Sequence, residues 1–285
     1  MFHPVLIVNP FSSRVDERTV HAVEQVLRPV ATLRTERRGH AAELARAEAE
    51  AIVVLGGDGV ANEVLNGLDA DVPVGFLPAG GTSVLARALG LPRDPVAAAH
   101  VLVAGRTRRI SLGRVNGRRF GFAAGIGLDA AAVRSVETRG RTREGRRSGD
   151  AVFALDLLRE IRRYSEPALE IDGLRRAAFA LVANTDPYSY AGPLALHVAP
   201  HARFELGLDL VAPERLRARA VPRYLRYATT GRGQDRDPGI VHLHDRDLIE
   251  ITCDRPLPVQ ADGEDLGDSD RIVLEAEREA VSVLC

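Results

Sequence analysis

The chain's 285 residues exceed one average domain and suit two modest domains or one large one. A formal charge of -1 supplies no global field that would recruit nucleic acid or anionic lipid, so function has to come from local sites. Two cysteines, Cys253 and Cys285, make neither a disulfide framework nor a metal-ligand cluster, and all 38 basic residues are arginine, which excludes any mechanism needing a lysine amine.

The opening "MFHPVLIVNP" lacks a basic region followed by a long apolar core and a cleavage site, and no apolar run approaches ~18 residues. The expectation is a cytoplasmic protein, at most peripheral to a membrane, with no nucleic-acid partner. Apolar runs and helical periods then alternate. "VLIVN" (5–9) reads as a strand, "DERTVHAVEQVLRPV" as a helix, "ATLRT" (31–35) as a strand and "HAAELARAEAEA" as a helix. "IVVL" (52–55) is the third strand, "VANEVLNGL" a helix, "VGFLP" (74–78) the fourth strand, and "TSVLARALG" a helix closed by Gly90 and Pro92. This alternation predicts a parallel sheet with helices on its faces.

Beyond about residue 108 the texture changes. "RRISLGRVNGRRFGFAAG" carries two β-like runs around Asn116-Gly117, a strong hairpin signal, and "ALEIDGLRRAAFALVAN" repeats the design around Asp172-Gly173. Runs from "LALHVAP" to "AVSVLC" complete a strand-rich half. Two domains are expected, 1–108 and 109–285, with the last strand free to return to the first domain. Exposed strand edges in the second half would allow a homodimer. The segment 136–150, dense in arginine and glycine, reads as a solvated loop or as a basic lip near phosphate or anionic lipid.

Gly56-Gly57-Asp58-Gly59 follows the third strand, where ligands of parallel α/β sheets bind. Glycines admit an oxyanion close to the backbone, and the next helix offers free N–H groups and a positive dipole end. The loop matches neither the P-loop, which needs lysine, nor the spaced dinucleotide fingerprint. A carboxylate in a phosphate loop implies an intervening cation, so Asp58 suggests Mg²⁺ reached through water; alternatively it is a helix cap. Gly80-Gly81 with Thr82 and Ser83 forms a similar loop after the fourth strand, although taken alone Thr82 reads as an N-cap. Asn184 could face the cleft or form a turn. His242 and His244 lie on one strand face at metal-compatible spacing without an evident third ligand.

These residues together resemble the diacylglycerol kinase catalytic-domain family, which includes bacterial lipid kinases and sphingosine kinases. "LIVNPFSS", "LRTERRGHAAELA", "GGDGVANEVLNGL", "LPAGGTSVLARALGLP", "GRVNGRRFGFAAGIGLDA" and "PVQADGE" occur in the family's order along nearly the whole chain. The resemblance implies an N-terminal Rossmann-like α/β nucleotide-binding domain and a C-terminal β sandwich. The active site would lie in the cleft between them, transferring the γ-phosphoryl of MgATP to a lipid hydroxyl, with transient contact to a membrane surface.

By the same resemblance Asn9, Ser12, Ser13, Thr35 and the loop Gly56, Gly57, Asp58, Gly59 to Asn62 would line ATP, with Gly80 and Thr82 from the second loop. Glu63 would support the loop, Asp58 would act through Mg²⁺, and Glu264 would be the general base. The chain departs from the family pattern at Val60, at Gly81, Ser83 and Val84, at Ser111, and at Leu206, which implies loss of a structural Mg²⁺ site. An NAD kinase-like enzyme and a nucleotide- or lipid-binding pseudokinase are the alternatives.

Overall fold

The computed structural model describes residues 3–68, 71–138 and 163–285. Strands β1 (Val5–Val8), β2 (Ala31–Arg34), β3 (Ile52–Gly56) and β4 (Val74–Pro78) pair in parallel in the order β2-β1-β3-β4. β1, β3 and β4 are buried throughout, which explains their unbroken apolar runs. The chain leaves β1 toward β2 on one side and β3 toward β4 on the other. The carboxyl ends of β1 and β3 therefore flank the point where the winding reverses, the place such sheets open a ligand crevice.

Helix α1 (Glu17–Leu27) starts at Asp16, whose carboxylate accepts from the Thr19 N–H at 2.7 Å. The helix expected over 40–51 is shorter: α2 covers only His40–Leu44. Arg46 and Ala47 close tight turns on Glu43 and Leu44, and the chain then carries Ala51 into the core beside β3, so tertiary placement overrides a helix-favouring composition. Next come α3 (Asp58–Gly67), α4 (Val84–Ala88) and α5 (Pro95–Leu102). α3 lies so close to α2 that a Cβ on Gly67 would meet the Ala42 carbonyl oxygen at 2.1 Å.

The second half forms antiparallel strands. β5 (Thr107–Val115) turns at Asn116-Gly117 into β6 (Arg118–Phe120), and both turn residues have positive φ, as a primed hairpin turn requires. β7 (Ala123–Ile126) leads into α6 (Leu128–Thr138), beyond which the arginine- and glycine-rich segment lies outside the described residues. β8 (Leu169–Ile171), β9 (Arg175–Ala177) and β10 (Ala180–Ala183) follow, then β11 (Ser189–Ala191), β12 (Leu194–Leu196) and β13 (Leu208–Pro213). Helix α7 (Val221–Thr230) precedes β14 (Ile240–Arg246), β15 (Leu248–Ala261) and β16 (Glu264–Leu284).

β16 joins the halves: Leu274 pairs with Val115 of β5, and farther along Val283 pairs in parallel with Val74 of β4. The last strand thus returns to the N-terminal parallel sheet, and one continuous hydrogen-bonded sheet spans both domains. Two large buried clusters form the cores, one under β1, β3 and β4 and one under β7, β10, β13 and β15. The fold is an N-terminal parallel α/β domain with a C-terminal β-sandwich domain.

Candidate active site

Two glycine loops meet back to back at the ends of β3 and β4. A Cβ on Gly80 would lie 2.6 Å from the Gly57 Cα, so backbone contact requires glycine at 80, and one on Gly57 would lie a tight 3.3 Å from the Gly80 Cα. A Cβ on Gly56 would collide with Val60 Cγ1 at 2.2 Å, while Asn9 Cβ and Ser12 Oγ stand 3.5 Å from the same point. Val60 therefore serves as packing under the loop. At Gly59 and Gly81 an added Cβ would meet nothing within 4 Å, which marks the open side of the crevice.

Asn9 shapes the first loop: its side-chain oxygen accepts from the Phe11 N–H at 3.0 Å, and its own N–H donates to Leu55 of β3. Ser12 is half-buried beside Gly56, Ser13 is exposed, Thr35 is buried next to β1, and Thr82 is half-buried. Ser83, in the left-handed region at φ 49, occupies the N-cap position of α4 in place of Thr82, and its hydroxyl turns back to accept from the Gly80 N–H.

Asp58 stitches the loops together. Its carboxylate accepts from the Leu85 N–H at 3.1 Å, so it caps α4 from the neighbouring loop. Burial pushes its pKa up to about 6, against the lowering effect of backbone N–H groups of Val84 and Leu85. The charge of Asp262 raises it further. Two carboxylates that repel at a loop end are a place where a cation would be stabilising.

Asp262 is the side chain that sequence reasoning missed. It sits with φ 49 at the tip of the β15–β16 hairpin and is 5% exposed. Its carboxylate accepts from the N–H groups of Gly121, Phe122 and Ala123 and from Asn62 Nδ2, at 2.6 to 3.1 Å. Burial raises its pKa despite these donors. The available signal was the dipeptide Asp262-Gly263, a third hairpin turn of the kind at Asn116-Gly117 and Asp172-Gly173.

Asn62 and Glu63 take roles other than those expected. Asn62 is 1% exposed, and its amide reaches Asp262 and the Arg119 carbonyl, so it ties α3 to the second domain. Glu63 supports the neighbouring loop: it accepts from the N–H groups of Gly39 and Ala41 at 2.8 and 3.1 Å, capping α2. Glu264 follows Gly263, and both its oxygens are held by guanidinium groups, Arg38 at 2.8 Å and Arg118 at 2.5 Å. Arg118 Nε is buried without an acceptor, and Ser111 Oγ and Asn184 Oδ1 are likewise buried without a hydrogen-bond partner. Asn184 is buried, and its amide donates to the Ser111 and Gly121 carbonyls.

Farther from the loops, α6, β10, β13 and α7 enclose a cavity of about 310 Å³ whose walls are largely apolar, including Phe179, Leu181, Val211 and Tyr224. Asp129 is the acidic residue of its wall. The Asp129 carboxylate accepts from Tyr188 Oη at 2.8 Å and Gln260 Nε2 at 2.7 Å, and Gln260 Oε1 accepts from the Gly263 N–H at 2.8 Å. A Cβ on Gly125 would lie 2.2 Å from the Asp129 Oδ2, so that glycine makes the room. Burial raises the Asp129 pKa. His244 bonds to buried Asp209 at 2.8 Å, and no group of three His, Cys, Asp or Glu among the described residues is arranged to hold a metal ion.

Family models settle what this arrangement belongs to. Residues 3–115 match the diacylglycerol kinase catalytic domain, and residues 123–285 match the YegS C-terminal NAD kinase beta sandwich-like domain. The chain belongs to the diacylglycerol kinase catalytic-domain family. Within that kinase family it is 40% identical over 111 residues to a diacylglycerol kinase of Bacillus subtilis (strain 168), a match covering 37% of each chain. It is 43% identical over 88 residues to a diacylglycerol kinase of Mycobacterium tuberculosis (strain ATCC 25618 / H37Rv), covering 28% of each. The matched stretch thus spans only about a third of these curated relatives' length. Over the whole family fold, a diacylglycerol kinase crystal structure from Bacillus anthracis str. Sterne superposes with a TM-score of 0.73 at 19% identity, covering 99% of this chain and 97% of that one. An Archaeoglobus fulgidus NAD kinase in complex with ATP shares the fold more distantly, with a TM-score of 0.51 at 14% identity over 99% of this chain and 93% of that one.

Proposed function

We propose that the protein transfers the γ-phosphoryl group of MgATP to the hydroxyl of a lipid alcohol such as diacylglycerol. The observation that carries the lipid over other acceptors is the largely apolar 310 Å³ cavity, joined through Asp129 and Gln260 to the Asp262-Gly263-Glu264 turn. Apolar walls of this size suit acyl chains and give a dinucleotide acceptor few polar partners.

ATP is assigned to the crevice between the β1 and β3 loops, where Gly57, Gly59 and Gly81 expose backbone and Asn9 and Ser12 form a wall. Arginine takes the place of lysine: Arg118 has a buried Nε without an acceptor, and both Arg38 and Arg118 already grip a carboxylate, the groups that would grip phosphate oxygens. Mg²⁺ fits as an outer-sphere partner of Asp58, because a buried carboxylate facing a second one is stabilised by a cation that keeps its own waters. When bound it neutralises charge on the transferring phosphate.

Glu264 is assigned as the general base that accepts the hydroxyl proton. In the structure its oxygens are held by Arg38 and Arg118, so the base forms as these guanidinium groups turn to the nucleotide and free a lone pair. Asp262 positions: by fixing three backbone N–H groups and Asn62 it holds the hairpin that presents Glu264.

The test is transfer of labelled γ-phosphate from MgATP to a panel of diacylglycerol, sphingoid base, other lipid alcohols and NAD, with Glu264→Ala alongside. Transfer to a lipid that falls by about 10²-fold or more in the variant supports the assignment. Transfer to NAD alone, or saturable ATP binding with no transfer, overturns it in favour of an NAD kinase-like enzyme or a pseudokinase.

A further inference from the structure

Between residues 214 and 237 the chain carries seven arginines against three carboxylates, in a molecule whose net charge is -1. Helix α7 lies in the middle of this stretch with one buried side chain, Tyr227. Arg217, Arg219, Arg223 and Arg226 are all exposed. Arg223 is paired with Asp237 at 3.1 Å, whereas Arg217, Arg219 and Arg226 make no ion pair among the described residues. An arginine-rich groove contains Arg215, Arg217, Arg219 and Arg223. Its wall includes Tyr224, and the same Tyr224 lines the apolar cavity. Leu225, also on the cavity wall, is 61% exposed.

We infer that helix α7 and the 310-turn before it (Ala218–Ala220) form a docking surface for an anionic lipid bilayer, seated directly over the mouth of the apolar cavity. Charge complementarity selects this occupant. Unpaired, fully charged guanidinium groups around an exposed leucine and two tyrosines match the two layers of a membrane interface, phosphate headgroups outside and acyl chain just beneath. Arginine stems cover apolar surface while their heads remain at the phosphates, and Arg223 and Arg226 already lie 5.3 and 5.2 Å over the Tyr224 and Tyr227 rings. A soluble acidic protein would match the charge but would leave the adjoining apolar mouth unused. The location also differs from the 136–150 segment that the sequence suggested as a basic lip.

The inference rests on the lipid-kinase reading for what enters the cavity, so its test is vesicle binding measured without ATP. Wild-type protein is sedimented with vesicles of phosphatidylcholine alone and of phosphatidylcholine containing phosphatidylglycerol, at low and raised salt. The expected result is binding to the anionic vesicles that weakens with salt, and little binding to the neutral ones. The variant Arg217→Gln/Arg219→Gln/Arg226→Gln lowers the partition constant on the order of 100-fold, as three charges at about 1 kcal/mol each imply, with an unchanged unfolding temperature. A control triple on the other domain, Arg18→Gln/Arg93→Gln/Arg106→Gln, retains wild-type binding.

Equal wild-type binding to both vesicle types, absence of binding to either, or equal loss in the two triples overturns the docking surface. If the first triple unfolds, single substitutions at the same three positions each reduce binding severalfold, and wild-type binding by all three overturns it instead. Charge-dependent binding without phosphoryl transfer in the panel assay leaves the docking surface standing while the kinase reading fails; transfer to a short-chain dispersed acceptor without vesicle binding does the reverse.

Discussion

The two sides of the candidate site, the glycine loops proposed for the nucleotide and the apolar cavity proposed for the lipid, are built from different materials. The first is backbone: Gly57 and Gly80 touch, Gly56 leaves room for Val60, and only glycine satisfies those distances. The second is side chain: a cavity wall drawn from α6, β10, β13 and α7, where many apolar residues of similar size would serve. A backbone-built site has to leave a motif in the sequence, and a side-chain-built cavity does not.

The largest effect is expected where the two sides are fastened together. Asp262→Ala leaves three backbone N–H groups and Asn62 without their acceptor, which should cost roughly 3–5 kcal/mol in a urea unfolding experiment. A loss under about 1 kcal/mol would show that the hairpin is held by its strands alone.

Asp58 separates ion binding from capping through pH. Its folded pKa of about 6 stands above the ordinary 3.8, so the stability tied to its neutral form is fully present below pH 3.8 and is lost as pH rises through about 6. The difference between wild type and Asp58→Asn should therefore shift against the wild type by roughly 3 kcal/mol across that window, since one pKa unit is about 1.4 kcal/mol. A pH-independent difference would mean that the carboxylate is not buried in the folded protein.

The glycine pair sharpens the contrast within one loop. Gly80→Ala should destabilise by about 1–3 kcal/mol through overpacking against Gly57 and weaken ATP binding, because the loops must part. Gly81→Ala, with open space around it, should stay within about 0.5 kcal/mol of wild type. Equal effects in thermal unfolding would break the back-to-back description. A modest effect is expected at Glu63→Gln, about 1 kcal/mol from a weakened cap on α2, with ATP affinity retained because Glu63 supports a neighbouring loop.

Legibility followed the same division. The four parallel strands and the first two hairpins were readable because buried strands give unbroken apolar runs and primed turns demand Asn-Gly or Asp-Gly. The α2 tail was misread because its alanines and glutamates favour a helix that the approach to β3 forbids. Asn62 lies in the glycine signature, yet as the fifth residue of α3 after the Gly57 cap it hydrogen-bonds Asp262, 200 positions away, a contact with no local trace in the sequence. Contacts such as Arg118 with Glu264, separated by 146 residues, leave no local trace. Asp129 is equally silent, although Gly125, four residues earlier on β7, is the mark of the space its carboxylate needs.

The central claim is that a nucleotide on the glycine loops faces a lipid whose chain lies in the apolar cavity. The most direct measurement is the rate of phosphoryl transfer from MgATP to short- and long-chain diacylglycerols by the wild type and by Ala132→Phe, which fills part of the cavity wall. The variant should keep ATP affinity and short-chain transfer while losing about tenfold or more on long chains, the effect of roughly 1.4 kcal/mol of acyl contact. Equal loss on both chain lengths, or none on either, would contradict the cavity as the acyl site.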